Sequence, residues 1–351
     1  MRPLDDGSRD WTEPGIYSVA PGVYRVPLPM PGNGLRAVNA YVLADGDSLV
    51  LIDSGCALDD AEARLESALA AIGASPSDIR RFLITHVHRD HYSLAVAMRR
   101  EHGTPVALGS GERAALAAVS QPGRVPLADQ LPLLGKAGAA PVVDALVAAF
   151  GSLPPQDWGL WERPDHWLTP GEIRTPGGRH LDVVHTPGHT AGHVVFDDSA
   201  EGLLFTGDHV LPHITPSVGL HAAPEPLPLR DYLASLRLLL SRPDRRMLPA
   251  HGPVSPSVHA RVEELLRHHE RRFDEIADLV AGGAHTAYDV ARRLRWTRRD
   301  RTLGDLDPFH QALAVLEVAA HLDVLAARET LHVTDDDDVG GREPVRRFAL
   351  A

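Results

Sequence analysis

Cysteine and long hydrophobic runs are scarce in this sequence. Cys56 is the only cysteine among 351 residues, so no intrachain disulfide can form, and this favours a reducing compartment. We find no apolar run that predicts a membrane span, and the N-terminal residues lack the pattern of a signal peptide. The sequence therefore predicts a cytoplasmic protein without a membrane partner.

Positive charge is also in deficit. Lysine and arginine number 35 against 47 aspartates and glutamates, which gives a formal net charge of −12. This balance disfavours, without excluding, a nucleic-acid partner that is attracted over long distances. A chain of this length can bury a substantial core as one large domain or as two of ordinary size.

A dense group of metal-ligand side chains occupies residues 86–91, which read HVHRDH after an apolar, strand-like stretch. Imidazole and carboxylate are preferred ligands of zinc and similar cations. Because alternate side chains of an extended segment share a face, His86 and His88 can reach one ion. Asp90 and His91 follow at the predicted start of a helix and would face a neighbouring position. The alternative interpretation is a histidine-rich surface loop.

Three later segments carry further ligand-type side chains directly after candidate strands. Residues 185–193 read HTPGHTAGH, residues 205–209 read FTGDH and residues 247–253 read MLPAHGP. Proteins of the α/β class build their sites at the ends of strands, so the four segments together indicate one site. Other strands are predicted at 23–27, 37–43, 49–52 and 82–85, and a helix at 58–72.

In these segments, and in LIDSG at 51–55, the sequence resembles the metallo-β-lactamase superfamily, specifically its glyoxalase-II-like hydrolase branch. The resemblance implies an α/β fold, the αβ/βα four-layer sandwich in which two mixed sheets pack face to face. It also implies two metal sites with a shared carboxylate. By position, the first site consists of His86, His88 and His189, the second of Asp90, His91 and His251, and Asp208 bridges them.

The resemblance further implies two divalent cations as cofactors, with zinc expected and manganese or iron as alternatives. A bridging water would be deprotonated to hydroxide and attack a carbonyl or phosphoryl centre. Asp90 and Asp208 are then the catalytic carboxylates. We expect Asp53 and His193 to support the ligands from behind. The candidate substrate contacts near the cations are Tyr92, His209 and His213.

Residues 121–170 are predicted to form an insert in a catalytic domain that spans residues 1–255. The insert contains three of the five tryptophans, Trp158, Trp161 and Trp167. As a lid over the cations, it would favour a small-molecule substrate with an apolar portion, with Trp158 and Trp161 as contacts. The alternatives are a satellite core and a dimer contact, the latter implying a homodimer.

Residues 256–351 are predicted to form a second, small α+β domain. Three helices, at 257–280, 286–294 and 307–328, precede two strands around an acidic turn at 335–341. This order resembles a winged helix, as in the lactamase-β-like endoribonucleases of the same superfamily. Six arginines between positions 292 and 301 would suit RNA. However, the acidic turn would repel a phosphate backbone, so we expect a structural role.

The sequence thus predicts a dinuclear metal hydrolase that cleaves a small ester, thioester or lactone. Asp208 argues against antibiotic hydrolysis as the main activity, because zinc β-lactamases generally lack this bridging residue. The alternative is a metal-dependent endoribonuclease or phosphodiesterase, which the C-terminal segment and its arginines favour. A non-catalytic regulator that uses the winged helix is disfavoured, because the complete ligand set would then have no purpose.

Overall fold

The computed structural model describes residue 5 and residues 10–30, 34–124, 127–150, 160–223, 225–297, 299–335 and 344–351. Trp158 and residues 336–341 of the predicted acidic turn lie outside these ranges. The chain divides into two compact units. The first unit comprises Met1–Ser120, Asp157–Pro216 and Ser235–Glu263, and the second comprises Gln121–Gln156, Ser217–Ala234 and Glu264–Ala351.

The first unit contains a seven-stranded sheet whose strands follow chain order. Its strands are β1 (Tyr17–Ala20), β2 (Val23–Pro29), β3 (Ala37–Asp45), β4 (Ser48–Ile52), β5 (Ile79–Ile84), β6 (Val106–Gly109) and β7 (His166–Leu168). Pairing is antiparallel from β1 to β4 and parallel from β4 to β7. The carboxyl ends of β4, β5 and β6 therefore meet at one edge of the sheet.

A second sheet of five strands belongs to the same unit, in the order β12-β11-β10-β9-β8. Its strands are β8 (Gly171–Arg174), β9 (His180–His185), β10 (Val194–Asp198), β11 (Leu203–Gly207) and β12 (Arg246–Pro249). Only β11 and β12 pair in parallel among these neighbours. Both sheets are therefore mixed.

Apolar side chains of the two sheets share one buried core. It includes Tyr41, Ile52 and Leu83 from the first sheet and Phe196 and Phe205 from the second. The rings of Tyr41 and Phe205 meet edge to face with centroids 5.3 Å apart, a favourable arrangement for an aromatic pair. The face-to-face packing of two mixed sheets confirms the predicted sandwich.

Helices follow the parallel strands of the first sheet: α1 (Asp59–Ala70), α2 (Arg89–His102) and α3 (Arg113–Val119) come after β4, β5 and β6. Burial in α1 recurs at Ala61, Leu65 and Leu69, a spacing of four that puts one apolar stripe on one face of the helix. α1 and α2 both contact the first sheet.

The described part of the second unit is mainly helical. It contains α4 (Gln130–Lys136), α5 (Ala140–Phe150), α8 (Ala287–Arg293), α9 (Pro308–Ala327) and the antiparallel strands β13 (Leu331–Asp335) and β14 (Arg346–Leu350). The unit boundaries fall within α6 (Pro228–Leu240) and α7 (Val258–Ala281). The Thr286 hydroxyl accepts a hydrogen bond from the N–H of Asp289 at 3.0 Å, so it caps α8 as predicted.

The division into units differs from the two domains inferred from sequence. Residues 121–156, predicted as part of an insert in the first domain, group with the C-terminal residues, whereas 157–170 belong to the first unit. Within the second unit, α4 and α5 contact α9, and the rings of Phe150 and Phe309 lie 6.5 Å apart. The domain boundary at 255 and the lid stay predictions.

The helix α9 contradicts the expectation that the chain has no long apolar run. α9 is long and apolar enough, by length and composition, to cross a membrane, so the statement that no such run exists is wrong. The apolar composition of α9 is explained by its burial, because α9 is a core helix whose buried residues include Val315, Leu322 and Leu325. A buried core helix passes the same test as a membrane span, and the absence of a membrane partner stays a prediction.

Candidate metal centre

Ligand-type side chains from both sheets of the first unit come together at one place. His86 and His88 occupy the turn between β5 and α2, and Asp90 and His91 lie in the first turn of α2. The second sheet contributes three more residues: His189 after β9, Asp208 after β11 and His251 after β12. All seven residues predicted as ligands therefore meet.

Four of these residues form a first cluster whose ligand atoms lie within 4.8 Å of one another: His86, His88, His189 and Asp208. The Nδ1 atom of His88 is 2.9 Å from Nε2 of His86 and 3.0 Å from Nε2 of His189. Oδ2 of Asp208 is 3.6 Å from Nε2 of His189. Three ring nitrogens and one carboxylate oxygen therefore face a common point.

Asp90, His91 and His251 form a second cluster. Oδ2 of Asp90 is 3.3 Å from Nε2 of His251 and 3.4 Å from Nε2 of His91. The other oxygen of the shared carboxylate, Oδ1 of Asp208, is 3.3 Å from Nε2 of His251 and 3.7 Å from Nε2 of His91. Asp208 thus directs one oxygen to each cluster.

The nitrogen and oxygen atoms of the two clusters are better suited to binding divalent cations than to hydrogen-bonding with one another. Nε2 of His91, Nε2 of His251 and Oδ1 of Asp208 are buried and have no hydrogen-bond partner among the described residues. Such buried polar atoms are costly unless something satisfies them. Ligands about 2.0–2.1 Å from a tetrahedral zinc lie about 3.3 Å apart, which matches the separations in the second cluster.

Burial and neighbouring charge set the protonation of the donors. Burial lowers the pKa of His86 well below its usual value and that of His88 to about 3, so both rings are neutral at pH 7 and offer a lone pair. Burial opposes a charge on His251 too, but Asp208 and Asp90 outweigh it and raise its pKa to about 10. A cation at the second cluster must therefore displace a proton from His251.

Asp53 supports the second cluster from behind. Its Oδ2 accepts a hydrogen bond from Nδ1 of His91 at 2.8 Å, and its Oδ1 accepts one from the N–H of Thr85 at 2.8 Å. The proton on Nδ1 leaves Nε2 of His91 as the donor atom for a cation. Asp53 has a φ of +58°, a strained backbone that is common at functional sites.

His193 supports the backbone of Asp208 instead of joining either cluster. Its Nε2 accepts a hydrogen bond from the N–H of Asp208 at 3.2 Å, while its Nδ1 lies 2.9 Å from the hydroxyl of Thr186. Gly207 makes this approach feasible, because a Cβ there would lie 2.7 Å from Nε2 of His193. The Asp208 backbone is thereby fixed against the loop that connects β9 and β10.

The residues predicted as substrate contacts lie in different environments. His209 is buried with its ring 5.9 Å from that of His193, whereas His213 is exposed. Tyr92 is fully buried, and its hydroxyl donates to the carbonyl of Glu162 at 2.5 Å. Trp161 is half-buried and stacks on Tyr92 with ring centroids 6.4 Å apart. Substrate contact by these residues stays a prediction.

Sequence reasoning missed Glu112, a fully buried carboxyl beside the loop that carries His189. It accepts a hydrogen bond from the hydroxyl of Thr190, and the N–H groups of Val87 and Gly192 stabilise its charged form. Glu112 therefore lies between the two segments that supply the histidines of the first cluster. Its position just after β6, at the same sheet edge, is the signal that could have revealed it.

The buried carboxyl of Glu112 predicts a specific pH dependence of stability. Burial raises its pKa from 4.5 to about 7, so the folded protein retains a proton that the unfolded chain has lost. Stability should fall as pH rises through this window, by about 3 kcal/mol in total at ~1.4 kcal/mol per unit. Urea unfolding of the chelator-treated protein between pH 4.5 and pH 8 measures this loss.

A Glu112→Gln variant isolates this contribution from the titration of the histidines. The variant lacks the ionisable group, so its unfolding free energy should decline less than that of the parent over the same pH range. Parallel pH profiles for parent and variant would contradict the assignment.

Comparisons with known proteins agree with this geometry. A family model described as the metallo-beta-lactamase superfamily matches residues 33–251. The chain is 27% identical over 262 residues to the lactamase-like protein ptaB of Pestalotiopsis fici, covering 74% of this chain and 65%, just under two thirds, of that protein. It is 26% identical over 329 residues to the probable metallo-hydrolase YqjP of Bacillus subtilis, covering 88% and 92%.

Among solved structures, a metallo-beta-lactamase family protein from Thermus thermophilus superimposes with a TM-score of 0.74 at 26% identity. The match covers 95% of this chain and 100% of that protein. The similarity thus extends well beyond the segments that carry the ligand candidates.

Proposed function

The chain belongs to the metallo-beta-lactamase superfamily and is a metal-dependent hydrolase, and from this premise we propose that it binds two divalent cations and cleaves a small ester, thioester or lactone. Zinc is the cation that we propose first, since imidazole and carboxylate ligands suit it, although they also accept manganese and iron.

The position of Asp208 carries the proposal of two cations. Its two carboxylate oxygens face different clusters, with Oδ2 near His189 and Oδ1 near His251. If Asp208 bound only a cation at the first cluster, the second cluster would keep two histidines and Asp90 but lose its contact with Oδ1 of Asp208. Burial opposes its charge, but His251 and His91 hold the pKa of Asp208 below its usual value, so it is ionised at neutral pH.

When bound, the cations supply an acidified water as nucleophile and positive charge that stabilises an oxyanion. The side chains of this protein do the rest. His88 and Asp90 are half-buried while the other five ligand candidates are buried, so we infer that substrate arrives from their side. Asp90 is then the carboxylate that can accept a proton there, and Asp53 keeps His91 in the correct tautomer.

Three finer assignments belong to the same proposal. We propose membership of the glyoxalase-II-like branch, supported by the order of the ligand segments. The helices α7, α8 and α9 followed by β13 and β14 support a winged-helix-like C-terminal region. The C-terminal region and the six arginines between positions 292 and 301 of the sequence motivate the alternative, a phosphodiesterase or endoribonuclease that uses the same cations.

Removal of metal provides the test of this function. We expect the purified protein to hydrolyse at least one substrate in a panel of thioesters, lactones and esters, and to lose that activity in chelator. Readdition of zinc should restore it, because the cations supply the nucleophile. The measurement is initial rate on each substrate, with bis-p-nitrophenyl phosphate included for the alternative function.

Two histidine variants provide the matched comparison. His88→Ala removes a ligand candidate and should abolish turnover, whereas His180→Ala removes an exposed histidine that pairs with Glu172 at 2.8 Å and should leave the rates unchanged. Turnover that survives both chelation and His88→Ala would rule out every version of the metal hydrolase. Turnover of the phosphodiester alone would favour the alternative.

A further inference from the structure

We propose that Asn39 is a positioning residue that holds His251 at the second cluster, with the buried Arg25 fixing the orientation of its amide. This inference rests on the proposed function, since His251 needs exact placement only if it binds a cation. Asn39 lies on β3 of the first sheet, whereas His251 lies in the turn after β12 of the second sheet. The contact therefore crosses the sandwich.

Asn39 holds both sides of the turn that presents His251. Its Nδ2 donates to the carbonyl of Pro249 at 2.9 Å and to the carbonyl of Gly252 at 2.9 Å. Its own N–H donates to the carbonyl of Ala250 at 2.7 Å. Asn39 is fully buried, so these bonds do not compete with bulk water. Both protons of one amide thus fix the residues on either side of His251.

Arg25 determines which way the amide of Asn39 points. Nη1 of Arg25 donates to Oδ1 of Asn39 at 2.9 Å and to the carbonyl of Trp11 at 2.7 Å. A guanidinium can only donate, so Oδ1 must face it and Nδ2 must face the turn. Arg25 is 2% exposed and its charge is paired with Asp5. The buried guanidinium of Arg25, paired with Asp5, thus orients the amide of Asn39.

The ring of His251 receives its orientation from the same strand. Its Nδ1 donates to the carbonyl of Ala37 at 2.8 Å, two residues before Asn39 on β3. Nε2 is therefore directed toward Asp90 and Asp208. A bond of this kind fixes the tautomer and the direction of a ligand histidine. β3 holds both the ring and the backbone of His251.

The turn has enough other contacts for an Asn39 variant to fold. The hydroxyl of Tyr41 donates to the carbonyl of Pro249 at 2.8 Å, and the N–H of Ala250 donates to the carbonyl of Gly207 at 3.1 Å. Loss of the Asn39 amide should therefore loosen the turn without unfolding the sandwich. The expected defect is local and concerns one of the two cations.

The test compares Asn39→Asp and Asn39→Ala with the parent and with Asp45→Asn. Aspartate preserves the shape but cannot donate to the two carbonyls. Asp45 is the matched control, because it is a buried polar residue that fixes another turn, accepting from the hydroxyl of Thr175 at 2.6 Å and from the N–H of Gly177 at 2.6 Å. Cobalt titration, followed by absorption and chelator competition, gives the affinity of each equivalent.

We expect both Asn39 variants to bind one cobalt equivalent as the parent does and the second roughly 10- to 100-fold more weakly, the usual effect of losing an outer hydrogen bond. Asp45→Asn should bind both equivalents normally. Equal weakening of both equivalents, or the same loss in Asp45→Asn, would overturn the proposal, since either would indicate a general structural defect. Parental affinity in Asn39→Asp would overturn it as well.

Amide hydrogen exchange of the metal-free proteins separates this inference from the proposed function. The peptide that spans residues 247–253 should exchange faster in the Asn39 variants than in the parent or in Asp45→Asn. Unchanged exchange there would overturn the positioning role whatever metal is bound. A parent protein that takes up no cobalt would contradict the proposed function instead, and it would remove the need for His251 to be positioned.

Discussion

Asp208→Asn is expected to reduce kcat/KM by roughly a thousandfold, the upper end of the cost of losing one electrostatic partner at a reaction centre. The carboxylate has an oxygen for each cluster, with Oδ2 3.6 Å from Nε2 of His189 and Oδ1 3.3 Å from Nε2 of His251. An amide has one oxygen and one NH₂ group. In either orientation of the asparagine, an N–H group would face one of the two clusters.

Because the expected cause of the lower rate in Asp208→Asn is weaker metal binding, the metal content should fall together with the rate. We expect the variant to retain fewer than two cations per chain after dialysis, as measured by elemental analysis, and to show the far-ultraviolet circular dichroism of the parent. Asp198→Asn is the control, because Asp198 is a 1% exposed carboxylate that accepts from Nε of Arg179 at 2.6 Å. Full activity of Asp208→Asn would refute the bridging role.

Gly192→Ala is expected to cost about 3 kcal/mol of unfolding free energy, the upper part of the usual range for overpacked sites. A Cβ on Gly192 would lie 2.1 Å from the backbone N of Glu112 and 2.4 Å from the backbone C of Gly111. Backbone atoms cannot rotate away as a flexible side chain can. The loop that carries His189 would therefore be displaced from the turn after β6, and activity should fall with stability.

Gly135→Ala is the matched control for this prediction. Gly135 lies in α4, and a Cβ there would meet nothing within 4 Å. Alanine in a helix is favoured over glycine by roughly 0.5–1 kcal/mol, so this variant should be as stable as the parent or slightly more. Urea unfolding measures both. If Gly192→Ala were as stable as Gly135→Ala, the prediction would be wrong, because the loop that carries His189 and the turn after β6 would then separate at little cost in free energy.

The ligand candidates could be predicted because a local sequence pattern marks each of them. His86 to His91 lie in one short segment, and the three later ligand candidates each follow an apolar strand. The order of these segments in the sequence is therefore enough to predict the site. The secondary structure near them was also readable: the helix predicted at 58–72 is α1 (Asp59–Ala70), and the strand predicted at 37–43 is β3 (Ala37–Asp45).

Asp53 and His193 were predicted as supporting residues, but Asn39 and Glu112 were not. Asn39 acts on a turn far along the chain, at a separation of 210 positions from Pro249, and no local signal links the two. Glu112 follows β6 at the same sheet edge, but its residue type alone does not distinguish it from an ordinary surface glutamate. The grouping of residues 121–156 with the C-terminal residues likewise depends on packing between α5 and α9, which periodicity cannot reveal.

The seven ligand candidates are divided between the sheets, four after β5 and three after strands of the second sheet. Any cation that they bind would clamp one half of the sandwich to the other. An ion that binds only the native chain stabilises it by about 2.7 kcal/mol when its concentration is a hundred times its Kd. Scarcity of the ion would therefore lower the free energy of unfolding as well as the activity. Supply of trace metal would then set how long each molecule survives, in addition to how fast it works.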